Sequence, residues 1–265
     1  MSTDPTDSHR SKELTSLDEL LDVARSCVHE WELLEFPRRV AVEYDKVFRV
    51  GLPLAAHALN STQVAVDVWG RFPWVATAIA RVAFEHAFVA QWTFLTPDGP
   101  GHFVRHVAHS NLVQAQEFAR AIAGQPELTA LVADDDLTNF LTYADREPAP
   151  GGERSWNLRT FFSRFEESGL LYGSYRSLSS AVHPSTGTIA AHLDLSRADG
   201  PRVQRTGAGE TDRHEAAQGL ALAALWALNF IEKCAPGYVS PGQAGAIAIP
   251  KVLPYDLAHS DRGEP

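Results

Sequence analysis

Four side chains suited to phosphate chemistry fall in register in one stretch, "YGSYRSLSSAVHPSTGT": Tyr172, Arg176, Ser179 and His183, spaced four, three and four residues apart. On a helix that spacing lines one face. Arginine brings a fixed positive charge, and histidine takes and gives a proton near neutral pH. Chemistry at a phosphate needs a base, an acid and positive charge on the phosphate oxygens. His183 can serve the first two needs and Arg176 the third.

A second stripe, Leu171, Tyr175, Leu178 and Val182, is apolar and displaced by one residue, or about 100° around the axis. The polar stripe is therefore expected beside the core-facing one, along a groove. Arg176 and His183 lie roughly 10 Å apart along a straight helix, too far to converge on one atom. They need a second copy at a dimer axis, or a distortion of the last turn toward Pro184. The plainer account has His183 capping the helix end and Tyr172 and Arg176 bonding within the bundle.

Arg176, six residues, then His183 resembles the Arg/His signature of HEPN-type all-helical proteins. In its nuclease members, paired Arg and His residues at a dimer interface cleave RNA without a metal. Ser177 stands where those enzymes usually carry Asn, Asp or His. More closely, "YRSLSSAVHPS" together with "RVAFEHAFVAQW" is similar to an uncharacterised bacterial all-helical family, a domain of unknown function, over roughly residues 70–195. The resemblance implies an all-α fold with a HEPN-like core. It also implies RNA or nucleotide at a local site, a homodimer, and Arg176 and His183 as the catalytic pair of a metal-independent endoribonuclease needing no cofactor. The alternative is a non-catalytic helical module that binds a protein partner or small ligand.

Arg81 and Glu85 are the next candidates, as supporting or ligand-binding residues with Tyr172 and Ser179. They share a helical stripe with Trp74, Ala78, Phe88 and Trp92, so two charges sit on an otherwise apolar face. Buried charges need partners. They are expected to pair with each other at i,i+4, or to meet the Arg176/His183 stripe across the bundle. A carboxylate beside His183 would fix its tautomer.

Two further patterns are weaker. "GHFVRHVAHS" puts His102, His106 and His109 on one helix face, and His at i and i+4 can share a zinc ion. His109, a further turn away, cannot join the same ion without bending the helix. Glu85 and His86 are the ligands that a neighbouring helix could add, but the Glu-x-x-His repeats of a di-iron bundle are absent. "ADDDLTNF" resembles the Asp-rich magnesium motif of prenyl-chain enzymes, yet Thr138 stands where its last acid belongs. Asp134 to Asp136 read better as acids at a helix N-terminus.

The elements that must position these residues are helical almost throughout. "TSLDELLDVARSCVHEWELLEF" opens with a Ser/Thr cap and acids in its first turn. Pro37 starts a second helix, expected to be interrupted at Gly51 and Pro53. "PWVATAIARVAFEHAFVAQWTFL" is apolar nearly all round and should be central. A fourth helix spans about His102 to Ala123, and shorter pieces follow around 127–144 and from Trp156. A last strong helix is capped at Thr211/Asp212 and stops before Pro236. The fold class is an all-α irregular bundle of seven to nine helices. Residues 1–13 are expected to be a disordered N-terminus, 14–236 a single all-helical domain, and 237–265 an irregular Pro/Gly-rich surface tail.

Composition bounds the function. The 265 residues can bury a sizeable core, and 45% hydrophobic with 21% charged is ordinary for a globular chain. A net charge of −10 disfavours a broad grip on nucleic acid, whose affinity comes from phosphate neutralisation, while leaving room for a local basic site. Two cysteines, Cys27 and Cys234, make no disulfide framework and suit a reducing cytoplasm. No apolar run reaches the roughly twenty residues of a membrane span, and the polar start is not a signal peptide. A cytoplasmic location without a membrane partner is expected.

Overall fold

The computed structural model describes residues 15–35, 40, 42–124, 139, 141–146, 158–166, 168–183, 186–194, 200–204, 210–236, 239–251 and 253–258. The N-terminal stretch, Pro37, Asp134 to Asp136, Pro184 and the last residues of the tail lie outside these, as do the expectations placed on them. Within the described residues the chain is all-α. The helices are α1 (Leu17–Glu32), α2 (Asp45–Trp69), α3 (Pro73–Leu95), α4 (Gly99–Gly124), α5 (Leu158–Phe162), α6 (Ser168–Ser179), α7 (Thr186–His192), α8 (Glu210–Cys234) and α9 (Gln243–Ala248). Two-residue strands, β1 (Leu193–Asp194) and β2 (Arg202–Val203), pair antiparallel between α7 and α8.

The start of α1 follows its sequence. Ser16 accepts from the Glu19 backbone N–H while the Glu19 carboxylate accepts from the Ser16 N–H at 2.8 Å, a reciprocal capping box. α2 corrects an expectation, because it runs unbroken through Gly51 and Pro53. Pro53 is on the exposed side, where water can take the carbonyl that its missing N–H leaves. Gly51 is buried for a packing reason: a β-carbon there would run into the ring of Phe230, itself fully buried on α8.

The core lies where α3 and α8 cross between α2, α1 and α6. Ala76, Ala80, Ala83, Ala87 and Ala90 on α3 are fully buried, as is α8 from Leu220 to Leu228. Small side chains on α3 let the helix backbones approach, and aromatic rings fill what remains. Phe88 meets Phe162 edge-on with centroids 4.5 Å apart, and Phe84 packs on Trp226 at 5.1 Å. Gly219 on α8 admits Leu178 of α6, whose Cδ1 would stand 2.9 Å from a β-carbon there. That contact seats α6, the helix of the polar stripe, against the core.

The chain after residue 236 corrects the irregular surface tail in part. It forms α9 and a 3-10 turn at Ile249–Lys251, with Ala244, Ala248 and Leu257 buried. Trp226 Nε1 donates to Pro254 O at 2.8 Å and Asn229 Nδ2 to Tyr255 O at 3.0 Å. The polar atoms that α8 brings to the core edge are thus satisfied by tail carbonyls.

Candidate functional site

α6 ends at Ser179, before the stripe is complete. Its last N–H groups turn to tighter partners: Ser180 N–H donates to Ser177 O at 3.2 Å and Val182 N–H to Ser179 O at 3.2 Å. Ser179 Oγ and Ser180 Oγ donate to the Tyr175 and Ser177 carbonyls, each at 2.7 Å, and so compete with the helical ladder. This tightening is the distortion before Pro184 that the spacing allowed. His183 follows in the turn after α6, its N–H reaching Ser179 O at 3.4 Å and its ring meeting Arg81 of α3. Val182 lies in the same turn and is exposed, so the apolar stripe is carried by Leu171 and Leu178.

On α3, Arg81 and Glu85 form the i,i+4 pair, Nε to Oε1 at 2.9 Å, with side chains 15% and 28% exposed. The same guanidinium also reaches α6 and the turn after it. Its Nη2 donates to the Tyr175 hydroxyl at 3.2 Å, its Nη1 lies 3.2 Å from His183 Nε2, and its carbon sits 5.2 Å from the Tyr175 ring centroid. A guanidinium only donates, so Nε2 accepts in this contact and the imidazole carries its proton on Nδ1. Both readings of Arg81 are therefore realised at once, the intrahelical pair and the contact across the bundle. The carboxylate does not stand beside His183, because Arg81 lies between them.

Arg81, Glu85 and His183 thus come together, joined by Tyr175, which the sequence pattern assigned to packing alone. The clue was its place on α6 one turn before Ser179, facing the only paired charges of α3's apolar surface. Arg176, next after Tyr175 on α6, is exposed and has no hydrogen-bond or ion-pair partner among the described residues. Tyr172 is not in the cluster; the guanidinium of Arg159 lies over its ring at 5.3 Å. Ser179 is spent on its own helix. Ser177 donates to the Glu215 carboxylate, tying α6 to α8 just after Arg176.

The histidine face of α4 does not converge. His102 Nδ1 meets Arg105 Nη2 at 3.1 Å, and His106 Nε2 lies 3.4 Å from Ser110 Oγ. His86, suggested as a neighbour to that face, pairs with His57 of α2, with ring centroids 4.4 Å apart. Among the described residues no three His, Cys, Asp or Glu side chains gather to hold a metal ion. Both cysteines are buried; burial pushes the Cys27 thiol far up and the Cys234 thiol up to about 12, so neither is a nucleophile at neutral pH. No helix among the described residues is long and apolar enough to cross a membrane.

The chain matches no family model, no curated protein and no solved structure. The resemblance to HEPN proteins and to the bacterial helical family stands on the motif residues alone.

Proposed function

We propose that the Arg81–Glu85–Tyr175–His183 cluster, together with Arg176 on the same helix as Tyr175, is a local site for the phosphate of RNA or a nucleotide, working in a HEPN-like manner. The observation that carries this reading is the placement of His183. It is exposed, and Arg81, itself fixed by Glu85 and Tyr175, sets its orientation. Arg176 supplies a cation that no described residue neutralises, which suits phosphate. With Arg176 on the phosphate, His183 turns Nε2 from Arg81 to the 2′-hydroxyl and takes its proton as the 2′-oxygen attacks phosphorus. The bond to the 5′-oxygen breaks and that oxygen receives a proton, leaving a 2′,3′-cyclic phosphate and a 5′-hydroxyl. In a homodimer the second copy's Arg176/His183 pair would supply the complementary acid.

The second reading, a non-catalytic helical module for a protein partner or small ligand, is favoured by one contact. His183 Nε2 is already occupied by Arg81 within its own chain, as expected of a residue that holds architecture. Fluorescence anisotropy with a single-stranded RNA oligonucleotide in EDTA separates the two. The phosphate reading expects binding by the wild type and about tenfold or greater weakening in Arg176→Ala. No binding by the wild type, or equal binding by both, supports the module instead.

A further inference from the structure

His57 on α2 and His86 on α3 form the one close pair of imidazoles among the described residues, on a different face of α3 from the Arg81 cluster. Their ring centroids are 4.4 Å apart and their planes meet at 57°. His86 Nδ1 lies 2.8 Å from the Val82 carbonyl, one turn back on its own helix. A carbonyl only accepts, so Nδ1 carries the proton and Nε2 is left with its lone pair. His86 Nε2 has no partner among the described residues, and neither nitrogen of the exposed His57 has one. A ring nitrogen held by a backbone carbonyl, with the other unpaired, is the arrangement that orients a metal-bound histidine.

We propose that His57 and His86 form a two-histidine site for a late first-row divalent cation of the zinc, nickel or copper class. Imidazole suits these ions, whereas magnesium and calcium take oxygen ligands. Metal–nitrogen bonds of about 2.0–2.1 Å, at ligand angles from roughly 90° to tetrahedral, put two ring centroids roughly 4.5–5.2 Å apart. The observed separation lies just short of that range, and a small opening of the exposed His57 ring brings the pair into it. Glu85, next in sequence, is taken by Arg81, and no third side chain joins, so water completes the coordination. The ion would clamp α2 to α3, the two helices that lead into the core.

The test uses the untagged, EDTA-treated chain with Zn²⁺ alone as the probe, read by calorimetric titration and by the thermal midpoint with and without the ion. The wild type is expected to bind and to gain thermal stability on binding. His57→Ala, at an exposed position, is expected to keep the metal-free midpoint, weaken binding about tenfold or more and lose the zinc-induced gain. His86→Ala is expected to lose the gain likewise, while His102→Ala retains it. Binding and stabilisation that persist in both His57→Ala and His86→Ala would overturn the proposal, as would a wild type that binds no Zn²⁺; the pair would then be a simple ring contact.

Discussion

Each nitrogen of the Arg81 guanidinium faces a different group: the Glu85 carboxylate, the Tyr175 hydroxyl and His183 Nε2. A planar fork with fixed donors can serve three partners at once, and a lysine ammonium on the same stem cannot. Replacing Arg81 by Leu strands a half-buried carboxylate, so Arg81→Leu is expected to cost about 1–3 kcal/mol in denaturant unfolding. Removing both charges, in Arg81→Leu with Glu85→Leu, should recover part of that loss. A double variant no more stable than the single one would show that Glu85 draws nothing from Arg81. His183 is exposed at the end of this chain of contacts, so its removal should touch stability little. The sequence made the Arg81/Glu85 pair legible, since two charges on an apolar stripe demand partners. It hid Tyr175, because a tyrosine at a packing position gives no sign of where its hydroxyl ends.

At the scale of elements, small residues decide what can approach. Gly51 sits against the buried ring of Phe230, so Gly51→Ala is expected to destabilise by about 1–3 kcal/mol, against the slight gain that helix propensity alone would give. Unfolding in denaturant distinguishes the two signs. The residue that seemed to break α2 is thus the one that lets α2 dock. The start of α1 is held by a second device. The Lys251 ammonium bonds the Glu19 carboxylate at 2.5 Å, and with the Ser16 bonds it pulls that carboxyl from the ordinary 4.5 down to about 2. A depressed carboxyl stabilises the fold fully above its ordinary value and loses that contribution as pH falls through the folded one. Glu19→Gln should therefore melt below the wild type at pH 7 and converge with it as the pH drops toward 2. A gap that stays constant with pH would mean that the carboxylate is not what matters. This site is open to solvent, so added salt should shrink the difference. The capping box could be read directly from "TSLDE". Its link to Lys251 spans almost the whole chain and leaves no local pattern.

For the molecule as a whole, the 3.6-residue periodicity was enough for the all-α class, because nearly every apolar run matched one helical face. The helix after Pro236 escaped because "GQAGAIAIPK" shows glycine and proline first, while its alanines count only through packing on α8 and α1. The polar stripe was legible as four residues and misleading as a straight line. Hydroxyl-to-carbonyl bonds in its last turn end α6 early, His183 meets Arg81 from the turn that follows, and Arg176 stays exposed without an ion-pair partner among the described residues. On an acidic chain, the proposed site of one exposed arginine and one oriented histidine would suit a single phosphate better than a long nucleic-acid track.

The most direct test of this account is metal-free cleavage of single-stranded RNA, followed in EDTA with the wild type and with His183→Ala. The account expects the wild type to release products ending in 2′,3′-cyclic phosphate. It expects His183→Ala to lose about a hundredfold or more of that rate with its melting temperature almost unchanged. Equal rates for the two proteins, or a rate lost only together with the fold, would contradict it.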